Sequence, residues 1–438
     1  MNTYNPFDGS DLWLPDSASI AHMSAESALE DPKAAIERAL ACPIGTESLE
    51  ALARSKAGKL ARAVIVASDN TRPVPYKGPG NMLSPIIRIL LASGFEASQI
   101  TILIATGMHK PMTAQQIRQM IDPGILELGV QVINHDPSSR LDDLGRTRRG
   151  TEVMIDSIYT RADLKIVTGL IESHFMAGAS GGRKAICPGL IGERSTAIFH
   201  GPELMADPRS TNLVLKDNPV SEESLEIASL AGIDFLVNVT LDHSFCITGV
   251  FAGHYIKAHE AGVAFIARSV SVKAQLSDVV ITHGGFVGIN HYQCAKAAVA
   301  SIPILRKDGY LIIIADLKDP NDKLGSANYR KCLSVLMEKG PEGFYKAITD
   351  PSWTFLVDQW QVQQWAKVLE RIPMDHLYFY SPSLDSPGAI PGHLLESGLG
   401  FSEAVRKAMD LICLANGKRE DELVITYIAD GPYCVPQT

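Results

Sequence analysis

Residues 164–200, LKIVTGLIESHFMAGASGGRKAICPGLIGERSTAIFH, decide how the rest of the chain is read. The stretch opens on a short apolar run, Leu164 to Gly169. Such a run fills a strand buried on both faces of a parallel sheet. It then passes into a segment with little periodicity that holds His174, the glycine-rich run Gly178–Gly182, Arg183, Lys184, Cys187 and His200. Glycines there let the backbone take positive φ and approach a ligand closely. Successive free N–H groups in such a run, Gly181 and Gly182 among them, can form an anion-binding nest. A lysine just behind a nest can counter a phosphate or act as a nucleophile. His174 and His200 are candidate metal ligands or acid/base groups. A packed core has no use for this mixture, so the segment reads as a site at the end of a strand.

Working outward, the same alternation recurs. Ala63–Ala67, Ile100–Ala105, Val130–Asn134 and Asp234–Val239 read as further strands. Helical patterns cover Ser84–Ala92, Thr113–Ile121 and Ser221–Leu230. A long helix, His254–Val270, is followed by a second series: strands at 278–282, 310–315, 376–380 and 423–428, and helices at 292–301, 327–338, 355–370 and 402–415. Strands alternating with helices predict an α/β fold with mostly parallel sheets and right-handed crossovers. The division expected is an N-terminal domain over 1–270, completed by about 416–438, and a C-terminal domain over 271–415. In parallel sheets ligands bind beyond the carboxyl ends of the strands. Asp69 and Arg72, His109, and His174 each follow a predicted strand, so three polar clusters share one topological place.

At 438 residues the chain exceeds one ordinary core, and two domains are expected. A net charge of -9 argues against nucleic acid as a partner. The seven cysteines are scattered with no C-x-x-C pair, which supports neither a zinc ribbon nor a redox motif. Free thiols in a reducing compartment are the simple reading. The N-terminus has no basic and apolar leader pattern, and no apolar run is long enough to span a bilayer. A soluble, cytoplasmic protein with no membrane partner is expected.

The residues carry different weights. The Gly178–Lys184 run only loosely resembles a Walker loop. Arg183 stands at the second glycine's place and Ala185 at the hydroxyl position, which disfavours magnesium–nucleotide hydrolysis. His109, in ATGMH, would be an ordinary solvated loop residue were it not at a strand end. Arg72, in DNTRPVP, is flanked by Pro73 and Pro75, and its guanidinium suits a carboxylate. The alternative for it is an ion pair with Asp69. Tyr292, Gln293 and Lys296 open a helix after the loop HGGFVG, and Tyr292 and Lys296 lie one turn apart on the same side. Cys187 is better read as an apolar filler than as a ligand.

Taken in order, SDNTRPVP (68–75), ATGMH (105–109), IESHFMAGASGGRKAICPG (171–189), FH (199–200), HYQCAKA (291–297) and DQWQVQ (358–363) resemble the motifs of the nickel-pincer lactate racemase family. The resemblance implies two α/β domains with the active site in the inter-domain cleft. It implies nickel and a pyridinium-3,5-bisthiocarboxylate mononucleotide, the nickel-pincer nucleotide, joined covalently to Lys184 through a thioamide. It makes His200 the metal's protein ligand and His109 and His174 the paired catalytic bases. Arg72 and Lys296 would hold a substrate carboxylate, with Tyr292 and Gln293 nearby. Asp69 and Trp360 would line the cofactor and substrate pocket. The partners implied are a 2-hydroxy acid and the enzymes that make the cofactor and insert nickel. Ser173 departs from a proline in the family pattern and His254 from an aspartate. The first lies beside His174 and bears on which hydroxy acid fits.

The chemistry is coherent with that inventory. Pulling the α-proton from a 2-hydroxy acid would build carbanion charge beside a carboxylate. Removing hydrogen as hydride avoids this, but needs an electron sink that only a cofactor supplies. The planar 2-oxo acid that results can take the hydride back on either face, so two bases are required, one per enantiomer. One protein imidazole cannot hold nickel tightly, so the organic pincer must add ligands. Two other readings remain at this level: a Schiff-base lysine at Lys184 serving pyridoxal phosphate, and a non-catalytic protein that binds a nickel cofactor or a hydroxy acid.

Overall fold

The computed structural model describes residues 2–438, with side chains from residue 5 onward. The chain is α/β and forms two compact units. One comprises Ala25–His200 and Leu213–Arg268; the other comprises the residues up to Ser24, Gly201–Asn212 and Ser269–Thr438.

The unit that carries Lys184 is built on a six-stranded sheet. Its order is Ile247–Gly253, Phe235–Leu241, Leu164–Leu170, Ala63–Ser68, Ile100–Ala105 and Gln131–Asn134. Every pairing is parallel except that of the Ile247–Gly253 edge strand, which is antiparallel. Ile65 lies opposite both Ile102 and Ile166, at the middle of the sheet. The residues Ala63 to Ala67 are all buried, as an uninterrupted apolar strand requires when helices cover both faces. Helices Pro32–Ala41 and Leu83–Ala92 supply Ile36, Leu40, Ile86 and Leu90 to that core. The first of them starts where Asp31 accepts a hydrogen bond from the Ala34 N–H at 2.9 Å, with Pro32 fixing the first turn.

Strand order fixes where the loops converge. From Ala63–Ser68 the chain steps outward through Ile100–Ala105 and Gln131–Asn134. It then returns to the other flank at Leu164–Leu170 and Phe235–Leu241. The winding reverses between Ala63–Ser68 and Leu164–Leu170, and such a switch point opens a crevice at the carboxyl ends. Asp69 and Arg72 leave one of these strands, and His174 and Lys184 leave the other. Tyr76 pins the two strand ends together: its buried hydroxyl accepts from the Ser68 N–H and meets the Thr168 hydroxyl, each at 2.8 Å.

The second unit also has a six-stranded sheet, all parallel: His393–Leu394, Leu377–Tyr380, Leu305–Ile314, Ser277–His283, Ile425–Ile428 and Ser19–Ala21. This corrects the expected division. The C-terminal residues do not complete the first domain, because Ile425–Ile428 pairs with Ser277–His283. The N-terminal residues do not belong to it either, because Ser19–Ala21 pairs with Ile425–Ile428. Strands of three or four residues are placed by a distant partner, and nothing in their own composition says which one. Residues 201–212 are a second excursion. Their helix Pro202–Ala206 packs on Gln359–Arg371, where Lys367 donates to the Ser210 carbonyl at 2.9 Å. The helix expected at 327–338 runs on to Thr349, with a break at Gly340 (φ 67) before Pro341. No described helix is long and apolar enough to cross a membrane.

His291 lies in the interior of this unit, stacked on Trp365 with ring centroids 4.5 Å apart. Its Nδ1 is 2.7 Å from the Tyr329 hydroxyl. Burial pushes its pKa down to about 3. In the unfolded chain a histidine protonates near pH 6.5, about three units higher. Between those values the unfolded state binds the extra proton, so folding stability falls as pH drops from about 6.5 toward 3. His291→Gln is therefore expected to lower stability at pH 7 yet flatten that acid slope, measured as the urea midpoint at a series of pH values. Parallel slopes for the variant and the wild type would show that this burial does not drive acid sensitivity.

Candidate active site

The site in the Lys184 unit is assembled from strand-end loops. Asp69 is buried, and its Oδ1 accepts from the Thr71 N–H at 3.1 Å and the Thr71 hydroxyl at 2.5 Å. Its Oδ2 meets Nδ1 of His109 at 2.7 Å. Burial alone would raise this carboxyl's pKa. The hydrogen bonds and charge from His109, with those from Thr71, outweigh burial and hold it below the usual carboxylate range. The His109 side chain is 60% exposed against 6% for Asp69, so the carboxylate is the fixed partner and the imidazole the accessible one. The sequence reading has Asp69 lining the cofactor; the structure pairs it with His109. Arg72 is half-buried, and the ion pair with Asp69 weighed from the sequence is not formed. Among the described residues its guanidinium enters no ion pair.

His174 is held by a two-residue antiparallel ladder, Ser173–His174 against Gly178–Ala179. The turn needs glycine at 178, where φ is 78 and a Cβ would lie 2.3 Å from the Val214 carbonyl oxygen. His174 Nδ1 receives the backbone N–H groups of Met176 and Ala177, each at 3.2 Å. Its Nε2 lies 2.8 Å from Lys184 Nζ. Lys184 sits in the short 3₁₀ turn Gly182–Ala185, set against the sheet by a hydrogen bond from the Gly182 N–H to Asn238 Oδ1 at 2.8 Å. A Cβ at Gly182 would come within 2.5 Å of the His259 ring, which itself meets the Ser180 carbonyl at 2.9 Å. Burial and the neighbouring Arg183 push the His259 pKa down to about 3. Neither Asn238 nor His259 was singled out in the sequence. Asn238 did leave a signal, as an amide inside the apolar strand FLVNVTL.

His200 closes the helix Glu193–Phe199, with its Nδ1 3.1 Å from the Thr196 carbonyl oxygen. That contact places the ring proton on Nδ1 and the lone pair on Nε2. Burial, then the charge of Lys184, push the His200 pKa down to about 3, so the ring is neutral at ordinary pH. Arg183 is 7% exposed and its Nη2 has no hydrogen-bond partner. Burial lowers its pKa to about 10, with Glu260 and Tyr255 opposing. Cys187 is fully buried and burial pushes its thiol pKa well up, as a packing residue behaves. His254 has a structural job. Its Nδ1 accepts from the Ile256 N–H at 3.3 Å just before the helix Lys257–Val270, a place an aspartate would also fill.

In the second unit, Tyr292, Gln293 and Lys296 occupy the first turns of the helix His291–Ser301, which Asn290 caps through the Gln293 N–H at 3.0 Å. Trp360 Nε1 donates to the Tyr292 hydroxyl at 3.0 Å, and Gln361 donates to the Tyr292 carbonyl at 2.8 Å. The sequence puts Trp360 at the pocket; the structure shows it holding Tyr292. The Gln293 Oε1 is buried without a hydrogen-bond partner.

Residues 8–212 match the family description lactate racemase N-terminal domain. The chain is 33% identical over 377 residues to a lactate racemase of Lactiplantibacillus plantarum, covering 85% of each. It is 32% identical over 339 residues to a lactate racemase of Thermoanaerobacterium thermosaccharolyticum, covering 76% of each. The crystallised lactate racemase apoprotein of the latter organism superposes with a TM-score of 0.86 at 27% identity, over 100% of this chain and 99% of that one. A structural-genomics protein from Thermotoga maritima shares the fold, with a TM-score of 0.62 at 16% identity. The named relatives are racemases, a class of isomerase. The chain belongs to the lactate racemase family.

Proposed function

We propose that this chain racemises lactate or a close 2-hydroxy acid, and that it does so with a nickel-pincer nucleotide tethered to Lys184. The observation that supports this most is the meeting of Lys184 with His174 at 2.8 Å, in a turn whose glycines leave no side chain in the way. The residues present suit such a group. His200 is a neutral imidazole, the form a metal binds. Among the described residues no three His, Cys, Asp or Glu side chains converge as a metal cluster, so an ion here would need ligands carried by an organic partner. The buried, unpartnered Nη2 of Arg183 adds positive potential, which favours an anionic nucleotide.

When bound, such a group supplies the hydride acceptor. The chain's own residues do the rest. His109, oriented by Asp69, takes the substrate's hydroxyl proton from one enantiomer, and His174 takes it from the other. Arg72 and Lys296 counter the carboxylate, and a bidentate guanidinium keeps it fixed while the reacting carbon becomes planar. Tyr292 and Gln293 contribute hydrogen bonds to the substrate. Positioned bases of this kind supply about 10²–10⁴-fold each.

The test is intact-mass analysis of the chain co-expressed with cofactor-synthesis and nickel-insertion enzymes, alongside chiral chromatography of D- and L-lactate. A mass adduct that disappears in Lys184→Ala, together with racemisation by the loaded wild type, is the expected result. An active wild type of unmodified mass would refute the tether.

A further inference from the structure

The hydrogen bonds around His174 say where the protons are. Nδ1 faces two donors, the Met176 and Ala177 N–H groups at 3.2 Å each. A nitrogen facing two donors must present its lone pair. Neutral imidazole has only one such lone pair, so the ring proton sits on Nε2, on the side of Lys184. The lysine nitrogen is the partner on that side, at 2.8 Å. The contact puts His174 Nε2 within proton-transfer reach of the lysine nitrogen. The fold maintains this arrangement. The Ser173–His174 ladder sets the ring's height, Phe175 stacks on the ring at 5.1 Å, and the Gly182–Asn238 hydrogen bond fixes the turn that carries the lysine.

We propose that His174 acts before any turnover, as the residue that brings about attachment of the cofactor arm to Lys184. This rests on the reading of Lys184 as the tether and goes one step past it. The lysine nitrogen forms a bond to the carbon of a thiocarboxylic acid, and that carbon's bond to oxygen breaks while its sulfur stays. His174 Nε2 gives its proton to the departing oxygen and takes one from the lysine nitrogen, so the ring ends as it began. The oxygen, carrying the acid's own proton and the one from His174, leaves as water; the product is a thioamide, and nothing is oxidised or reduced. A histidine that can both give and accept a proton at one nitrogen suits this exchange. Once the lysine nitrogen is acylated it no longer offers an amine lone pair, and Nε2 of His174 becomes available to a substrate hydroxyl. One residue thus serves the loading step and then the reaction.

The experiment follows adduct formation on the full-length purified chain, incubated with the bisthiocarboxylate nucleotide made by the synthesis enzymes and read by intact mass over time. Wild type and His109→Gln are expected to gain the adduct at equal rates, and Lys184→Met to gain none. His174→Gln is expected to gain it about 10²-fold more slowly. Imidazole added to His174→Ala is expected to restore part of the rate, which a purely structural role for the ring would not allow. A His174→Gln variant that melts like wild type and loads at the wild-type rate overturns the proposal while leaving the tether intact. A wild type that never gains the adduct overturns the tether itself, and this inference with it.

Discussion

Asp69→Asn is expected to lower kcat for lactate racemisation by about 10³–10⁴-fold, with the fold and the Lys184 adduct unchanged. The carboxylate is buried, and its Oδ2 lies 2.7 Å from His109 Nδ1. A carboxylate can only accept, so it keeps the imidazole proton on Nδ1 and leaves Nε2 to work as a base. It also stabilises the imidazolium that forms when His109 takes a proton. Asparagine is nearly the same shape but uncharged. If its amide turns its NH₂ group to the ring, it demands the opposite tautomer and places a proton where the base should be. Among the described residues nothing else anchors that nitrogen of the exposed imidazole, so nothing compensates. Because two enantiomers have equal free energy, kcat/KM for the two directions must fall by the same factor. That equality is a built-in check on the assay. Chiral chromatography from each enantiomer, with a thermal melt and an intact mass as controls, decides the matter. A loss smaller than about tenfold would mean that Asp69 merely packs the loop, since a positioned base is normally worth 10²–10⁴-fold.

Much of the fold around this candidate site was legible in the sequence. The strand at Ile100–Ala105 falls where the apolar run placed it, and that at Ala63–Ser68 is longer by a single residue. Both are buried on two faces, so their composition is dictated by the sheet. Loops at their carboxyl ends were visible because polar and glycine residues interrupt an apolar pattern. What stayed hidden depends on partners distant in the chain. In the hairpin Leu141–Arg146 with Glu152–Asp156, the first strand is largely solvent-facing and charged, so it shows no clean alternation. The three residues Ser19–Ala21 become a strand only because Ile425–Ile428 offers an edge. Side-chain pairings were hidden for the same reason. DNTRPVP says that Asp69 and Arg72 share a loop, and an ion pair between them is the local alternative it leaves open. The carboxylate instead meets a histidine forty positions on, because the Ala63–Ser68 and Ile100–Ala105 strands are neighbours in the sheet. Spacing along the chain locates a site; the sheet order decides who pairs with whom.

His200→Ala should give the second large effect: bound nickel falling by about tenfold or more, and racemisation falling with it, while the Lys184 adduct remains. The argument starts from how few ligands the chain offers. No cluster of three His, Cys, Asp or Glu side chains is present among the described residues, so on the proposed reading an ion here would rely on a single protein imidazole plus whatever an organic partner brings. His200 is equipped for that part. The Thr196 carbonyl at 3.1 Å holds its Nδ1 proton and leaves the lone pair on Nε2, the tautomer that second-shell hydrogen bonds fix in metal-bound histidines generally. The ring closes the helix Glu193–Phe199, whose own hydrogen bonds fix its height. If His200 is the metal's protein ligand, as proposed, removing the ring deletes that ligand and leaves the lysine in place, so mass and metal content should separate: adduct present, nickel lost. Elemental analysis of the desalted protein beside its intact mass reads both at once. Full nickel occupancy in His200→Ala would move the metal's protein ligand elsewhere in the chain. Loss of adduct and nickel together would make His200 part of the attachment step, which the geometry assigns to His174.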